Sequence, residues 1–243
     1  DSDGSIWLEE TLSFEDILQK NIADPATSKR NTLIEILHQG HLLNPDFIPN
    51  SEGFHIKTTL TFPRNWGLGT SSTLINNIAQ WLEIDAFVLL NNSFGGSGYD
   101  IACAQNNNPI VYHLENGNPV VEKVAFEPEF FQNLHFVYLD KKQSSKAAIA
   151  SYYNNKNEDL AENISKIDLL TQEVLHTKTL REFATALEEH EAEMSNILEM
   201  KTIKESLFPD FNGIIKSLGA WGGDFVLAIA KEMGLDNMAR SRK

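Results

Sequence analysis

Residues 63–73 read Pro-Arg-Asn-Trp-Gly-Leu-Gly-Thr-Ser-Ser-Thr and join a β-rich stretch to a stretch with helical periodicity. Gly67 and Gly69 let the backbone turn tightly and let amide groups approach a ligand without a Cβ in the way. A helix predicted to begin at Ser71 or Ser72 presents unpaired amides and a positive dipole end, which suit a phosphate group. A serine-capped helix after a turn has the same pattern, so the loop alone leaves both interpretations open.

Two better-known phosphate-binding motifs do not describe this loop. It lacks the Gly-Lys-Ser/Thr ending of the P-loop of NTPases. Ser72 stands where the dinucleotide-binding fingerprint has its third glycine.

A second glycine-rich loop lies at residues 95–102, which read Gly-Gly-Ser-Gly-Tyr-Asp-Ile-Ala. Asp100 follows the flexible part of this loop at a predicted helix start. An acid in that position caps the helix, or it is an ionised carboxylate aimed into a cleft. The loop by itself leaves both roles open.

A third glycine-rich loop lies within residues 216–225, which read Lys-Ser-Leu-Gly-Ala-Trp-Gly-Gly-Asp-Phe. It separates two strand-like runs, so one interpretation is a tight turn. Trp221 is unusual in such a turn, because a large ring must pack on something or face a ligand.

The three loops together resemble, in order and spacing, motifs of the GHMP kinase superfamily, which includes galactokinase, homoserine kinase, mevalonate kinase and phosphomevalonate kinase. Residues 63–71 are similar to its phosphate loop, Pro-x-x-x-Gly-Leu-Gly-Ser-Ser, with Thr70 in place of the first serine. Residues 97–102 are similar to its Ser-Gly-x-Asp-x-Ala motif. Residues 216–224 resemble the last motif of phosphomevalonate kinase, with Trp221 replacing a glycine. The likeness runs from Gly53 to Ala230 and is greatest to phosphomevalonate kinase.

The resemblance implies an ATP-dependent kinase that uses Mg²⁺ and phosphorylates a small anionic acceptor of isoprenoid biosynthesis, with phosphomevalonate favoured. It implies that Asp100 is catalytic and orients or deprotonates the acceptor oxygen. The implied nucleotide-binding residues are Gly67, Leu68, Gly69, Thr70, Ser71 and Ser72, with Ser71 also a metal ligand. The implied acceptor-binding residues are Ser97, Gly98, Lys142, Ser144, Ser145, Lys216, Gly219, Gly222 and Gly223.

Two features depart from the family pattern. We find no Pro-Gly-x-x-x-Leu-x-Gly-Glu-His segment, the first family motif, before Phe62. Leu89 stands where family members such as mevalonate kinase carry a Mg²⁺-binding glutamate. The alternatives are therefore a mevalonate kinase, a non-catalytic nucleotide- or metabolite-binding relative, or an incomplete fragment.

A basic segment, residues 141–146, reads Lys-Lys-Gln-Ser-Ser-Lys and follows a predicted strand. It fits a solvated helix start, and it also fits an anion site for the carboxylate or phosphate of an acceptor. His190 lies on the apolar stripe of a later predicted helix, and a packed or cleft-edge histidine is favoured there over a catalytic one.

Composition limits the classes of partner. Lys plus Arg number 20 and Asp plus Glu number 34, which gives a net charge of −14. Nucleic acid and anionic membranes are therefore unexpected partners, because their phosphates would repel the surface. The single cysteine, Cys103, excludes an intramolecular disulfide. A lone cysteine suits a reducing compartment, and no signal peptide or membrane-spanning stretch is recognised, so a cytoplasmic protein is expected. The expected oligomeric state is a monomer or a homodimer.

The periodicity predicts an α+β protein. The resemblance implies the two-lobed GHMP kinase fold, with a ribosomal protein S5 domain 2-like lobe over residues 1–139 and an α/β lobe over residues 140–243. Compared with that fold, the N-terminal strands are expected to be missing. Helices are predicted over residues 14–20, 29–39 with a stop at Gly40, 71–82, 84–91, 158–176 and 179–199. Strands are predicted over residues 5–9, 53–62, 109–114, 119–124, 134–140, 213–218 and 224–230.

Overall fold

The computed structural model describes residues 1–22, 28–140, 160–219, 221 and 223–230. The chain is α+β, as the periodicity predicts, and it divides into two compact units. The first unit comprises residues 1–64 and 68–125, and the second comprises residues 65–67 and 126–243. This division follows Ala125, whereas the resemblance places the lobe boundary after residue 139, and the lobe assignment stays a prediction.

The first unit is mainly helical and carries one β-hairpin. Each helix packs an apolar stripe inward, and Ser28 and Asp85 cap two of the helices through their side chains. The helices are α1 (Phe14–Leu18), α2 (Lys29–Leu43), α3 (Thr70–Trp81), α4 (Ala86–Ser93) and α5 (Tyr99–Gln105), and the strands are β1 (Ile110–Glu115) and β2 (Asn118–Lys123).

The core of the first unit is formed by the facing stripes of these helices. Ile75 of α3, Leu89 of α4 and Ile101 of α5 are fully buried in it. Burying each of these side chains contributes about 1.5–3 kcal/mol. The core therefore holds α3 and α5 side by side, and these two helices carry the first two glycine loops.

The second unit is a small antiparallel sheet packed with helices. Its strands are ordered β3-β5-β4, and its elements are β3 (His135–Tyr138), α6 (Leu160–His176), α7 (Leu180–Leu198), α8 (Ile203–Leu207), β4 (Gly213–Ser217) and β5 (Phe225–Ala230). Short 3₁₀ helices lie at Arg64–Trp66 and Phe131–Asn133.

Successive residues of β4 point to opposite faces of this sheet, as strand geometry requires. Ile214 packs into a cluster with Phe183 and Leu187 of α7. Ile215 packs into another cluster with Ile203 of α8. The sheet is therefore covered on both faces, and every residue of β4 is buried.

Most predicted elements are confirmed within a few residues at each end. The β1–β2 pair is an antiparallel hairpin in which Glu115 pairs with Asn118, as the Asn-Gly turn predicts. Strands β4 and β5 also pair antiparallel on either side of the third glycine loop. Helix α3 begins at Thr70, slightly before the predicted start.

The predicted strands at residues 5–9 and 53–62 are wrong. Among the described residues, none makes a backbone hydrogen bond to residues 53–62, and a strand needs a partner for its backbone groups. The ring of Phe54 instead packs against Phe47 and Trp81, at centroid distances of 5.0 and 4.8 Å.

The predicted helix stop at Gly40 is also wrong, because α2 continues to Leu43. A Cβ at Gly40 would lie 2.6 Å from Cδ1 of Leu82. The glycine therefore permits close packing inside the first unit and does not end the helix.

None of the described helices is long and apolar enough to cross a membrane.

Candidate functional site

Helix α3 begins at a glycine without a side-chain cap. Gly69 is its N-cap residue, with a left-handed φ of 69°, and no side chain accepts a hydrogen bond there. The serine-capped interpretation of this loop is therefore wrong, since Ser71 and Ser72 lie inside the helix. Ser71 is exposed and Ser72 is buried, so of these two hydroxyls Ser71 is the one accessible to a ligand.

The carboxyl group of Asp100 lies beside this helix start. A Cβ built on Gly69 would be 3.3 Å from Cγ and 3.6 Å from Oδ1 of Asp100. Residues of the first two glycine loops are thus brought together within the first unit. A side chain at Gly69 would require Asp100 to shift slightly.

Asp100 is in the first turn of α5, after the N-cap residue Gly98, which has φ 85°. Its carboxyl is therefore not in the N-cap position that the capping interpretation requires. Burial raises the pKa of this carboxyl. A raised pKa makes the carboxylate a stronger base than a free one.

Tyr99 directly precedes Asp100 in α5, and Cys103 follows it by three residues. The Tyr99 hydroxyl and the Cys103 thiol share a hydrogen bond. Burial first, and then this bond, raise the pKa of Tyr99 to about 12, and burial raises the pKa of Cys103. Asp100 is therefore the acid of this helix turn, next to two side chains whose pKa values are raised.

The segment before α5 is held from two sides. Gly98 is buried, and a Cβ there would lie 2.9 Å from Cδ1 of Phe87 and 3.0 Å from Oη of Tyr112. The Tyr112 hydroxyl donates a hydrogen bond to the carbonyl of Ser97. Ser97 is exposed and its hydroxyl accepts a bond from the amide of Tyr99.

Lys216 has a different environment from the one expected of an acceptor-binding residue. Only 9% of its surface is exposed, and its Nζ lies 3.0 Å from Oε2 of Glu191 in α7. It also donates to the carbonyl of Ser217 at 2.8 Å. We therefore assign Lys216 a structural role in place of acceptor binding, because Glu191 already neutralises its charge.

Glu191 also holds the start of the third glycine loop. Its carboxylate accepts bonds from the amide and hydroxyl of Ser217 and, at 3.3 Å, from the indole N–H of Trp221. Trp221 is buried, so its ring packs within the second unit. Gly219 adopts a left-handed φ of 61°, and Gly223 is buried.

Asp224, the acid of the third motif, lies against Gly67. A Cβ at Gly67 would clash with the carboxyl group of Asp224. Both residues belong to the second unit and both have positive φ. Within the second unit, Gly67 of the first glycine loop thus meets the end of the third glycine loop.

Four of the expected acceptor-binding residues cannot be placed. Lys142, Ser144, Ser145 and Gly222 lie outside the described residues.

In the described part of the chain, no group of three or more His, Cys, Asp or Glu could hold a metal ion. Leu89, where the resemblance leads one to expect a metal-binding glutamate, is 0% exposed. A magnesium ion here would depend on phosphate oxygens with one or two protein ligands, which is common for Mg²⁺.

Sequence reasoning missed Glu191 and Tyr112. Glu191 follows Leu187 by four residues and precedes Leu198 by seven, and both leucines are buried. An acid on an apolar helix stripe was therefore a usable signal. No spacing rule connects Tyr112 to Ser97, because their contact arises only when the hairpin folds back onto the loop before α5.

Comparison with known proteins assigns no family. No protein-family model matches the chain, and no curated protein matches it. A solved structure with some similarity is a Lin0012 protein from Listeria innocua, at 14% identity and a TM-score of 0.49. The alignment covers 89% of this chain and 64% of that one, so the chain spans less than two thirds of the length of that protein. A TM-score of this size assigns neither a fold nor an activity.

Proposed function

We propose that this chain belongs to an ATP-dependent small-molecule kinase of the GHMP superfamily, with the two-lobed fold of that superfamily and phosphomevalonate as the favoured acceptor. The observation that carries the proposal is the position of the Asp100 carboxyl, 3.3 Å from the Cβ position of Gly69 at the start of α3. A catalytic carboxylate and a phosphate-binding helix start must be neighbours in a phosphoryl-transfer site.

The start of α3 suits the phosphates of ATP. The helix has twelve residues, begins at a glycine and has no side-chain cap, so its first amides and its dipole are available to an anion. The exposed hydroxyl of Ser71 is the accessible side-chain contact for a phosphate oxygen or for Mg²⁺. When bound, Mg²⁺ would neutralise charge that develops on the phosphates.

Asp100 would serve the acceptor. Its carboxylate would accept the proton of the acceptor hydroxyl or orient that hydroxyl toward the γ-phosphate. The raised pKa that burial gives this carboxyl favours proton acceptance. Its first-turn position in α5 limits its freedom to move.

The acceptor would be anionic. Because Lys216 is paired with Glu191, the basic segment 141–146 is the remaining candidate for binding the negative charge of the acceptor. Lys142→Ala should then raise the KM of the acceptor about tenfold or more, since a hydrogen bond to a charged group contributes about 1.5–3 kcal/mol. Mevalonate, which carries a carboxylate, is the alternative acceptor.

A second candidate function is a nucleotide- or metabolite-binding protein without catalysis. Leu89 favours it, because a fully buried leucine cannot provide the metal contact of the family glutamate.

One experiment tests the proposal against this alternative. The protein is incubated with MgATP and, in turn, mevalonate, phosphomevalonate and a panel of sugars, and ADP release is measured beside ATP binding by calorimetry. A kinase gives acceptor-dependent ADP release that Asp100→Asn removes. ATP binding without turnover for any acceptor would favour the non-catalytic alternative, and absence of ATP binding would contradict both.

A further inference from the structure

Tyr112 contacts the turn at Ser97 and Gly98, which leads into α5 and is tightly packed. A Cβ built on Gly98 would lie 3.0 Å from Oη of Tyr112 and 2.9 Å from Cδ1 of Phe87. Gly98 is buried and has a left-handed φ of 85°. The turn therefore fits between two aromatic rings only because residue 98 is glycine.

The Tyr112 hydroxyl also forms a directed bond to this turn. It donates to the carbonyl of Ser97, three residues before Asp100. The rings of Tyr112 and Tyr99 meet edge to face, with centroids 5.8 Å apart. Tyr112 thus contacts the chain on both sides of Gly98.

The support for Tyr112 is a paired strand. Tyr112 lies in β1 opposite Val121 of β2, within a hairpin paired over its whole length. A hydroxyl carried on a hydrogen-bonded strand has less freedom than one on a loop. The contact therefore fixes the start of α5 to a comparatively rigid element.

The other end of α5 is tied to α3. The side-chain amide of Gln105 donates to Oδ1 of Asn76 at 3.1 Å, and Asn76 is buried. Helix α5 is thus held at its start by Tyr112 and at its end by Asn76. Asp100 lies between these two attachments, with its carboxyl against Gly69.

We propose that Tyr112 is a positioning residue for Asp100, acting through the carbonyl of Ser97 and the turn at Gly98. The inference rests on the proposed function, since it gives Tyr112 a part in placing the carboxylate at the reacting oxygen. Without the hydroxyl, the turn and the first turn of α5 shift or fluctuate. A displacement of even 1 Å at a reacting group lowers catalysis strongly.

The kinetic test uses Tyr112→Phe in the whole protein, which keeps the ring and removes only the hydroxyl. We expect kcat to fall about tenfold, while the KM values for ATP and acceptor stay within about twofold of wild type. Because Tyr112 acts through Asp100, adding Tyr112→Phe to Asp100→Asn should cause no further loss. An unchanged kcat, or an equal further loss in the Asp100→Asn background, would overturn the proposal.

A second measurement does not depend on activity. The amide of Ala102 donates to the carbonyl of Gly98 in the first turn of α5, so its hydrogen exchange reports on that turn. Tyr112→Phe should speed this exchange about tenfold. Ser51→Ala is the matched control, since it removes another hydroxyl-to-carbonyl bond of the same unit, to Phe47, and should leave Ala102 unchanged.

The kinetic and exchange measurements distinguish a failure of the proposed function from a failure of the positioning role of Tyr112. A wild-type protein that phosphorylates no acceptor would contradict the proposed function, while the exchange of Ala102 would still decide whether Tyr112 holds the turn. Unchanged exchange in Tyr112→Phe would overturn the positioning role even in an active kinase.

Discussion

The ammonium of Lys216 and the carboxylate of Glu191 form a buried ion pair, with Nζ and Oε2 3.0 Å apart and side chains only 11% and 4% exposed. The pair joins β4 to α7 inside the second unit. Two bonds from Ser217 and one from Trp221 satisfy the remaining capacity of the carboxylate. Such a pair depends on both partners, because either charge left alone in the interior is strongly unfavourable.

We therefore predict that Glu191→Ala lowers the free energy of unfolding by about 3–5 kcal/mol, measured by urea denaturation. Lys20→Met is the control, because the pair that Lys20 forms with Glu35 is 41% exposed on the lysine side and should contribute no more than about 1 kcal/mol. Equal losses for the two variants would contradict the structural role given to Lys216.

A second prediction concerns the start of α3. Gly69→Val should weaken the use of MgATP, because Gly69 has a left-handed φ that valine rarely adopts and its Cβ would crowd Asp100. Ser71→Ala should raise the KM for ATP about tenfold, as expected for a lost hydrogen bond to a charged group. ATP kinetics in steady-state assays provide the measurement.

Ser93→Ala is the control for Ser71→Ala, because the Ser93 hydroxyl donates only to the carbonyl of Leu89 within α4. It should keep the KM for ATP of the wild type. Normal ATP kinetics in both Gly69→Val and Ser71→Ala would remove the phosphate-binding role from this loop.

Local patterns predicted the elements that form from local forces. The apolar spacing of α3, the Ser28 cap of α2 and the Asn-Gly turn between β1 and β2 all act within a few residues. These features were therefore readable from the sequence. The alternating pattern of residues 53–62 predicts a strand, but these residues do not form one. A strand also needs a distant partner, which an alternating pattern does not specify.

The candidate site was predictable in its residues and less so in its contacts. Glycine loops indicated Gly69 and Asp100, and the structure brings these two together in the first unit. The pairing of Lys216 with Glu191 and the contact of Tyr112 with Ser97 join residues far apart in the chain. Such contacts depend on how whole elements pack. A basic residue beside a glycine loop, such as Lys216, fits ligand binding in the sequence, whereas in the structure it forms an internal ion pair with Glu191.

A third prediction concerns pH and His190. Burial first, and then the charge of Lys216, lower the pKa of His190 to about 4, whereas the unfolded histidine titrates near 6.5. Between these values the unfolded chain binds a proton that the folded protein does not bind. Stability is therefore complete above about pH 6.5 and is lost as pH falls toward 4, with a slope of at most about 1.4 kcal/mol per pH unit.

The measurement is urea denaturation between pH 5 and 7 for wild type and His190→Gln. The variant lacks the titrating ring, so the slope of its unfolding free energy against pH should be smaller by the contribution of this one proton. Identical slopes would show that His190 does not titrate as its burial implies.

The last prediction is that Asp100→Asn abolishes turnover while the fold and ATP binding remain. Asparagine keeps the size of aspartate, and it removes a charge that burial disfavours, so the melting temperature should be retained or rise. It cannot accept a proton or present negative charge to the acceptor. General-base catalysis contributes about 10²–10⁴-fold, so kcat should fall at least about a hundredfold, measured as acceptor-dependent ADP release.

Capping would predict normal activity, because Asn and Asp cap helices about equally well, but Gly98 and not Asp100 is the N-cap residue of α5. A core hydrogen-bonding role for Asp100 predicts that Asp100→Asn unfolds the protein. The pH dependence of kcat/KM provides a second test. The wild-type kcat/KM should fall as pH drops through the raised pKa of Asp100, and this fall at low pH should be absent in Asp100→Asn. A folded Asp100→Asn protein that binds ATP and turns over at the wild-type rate would exclude Asp100 from the chemistry and leave its position beside Gly69 without a catalytic role.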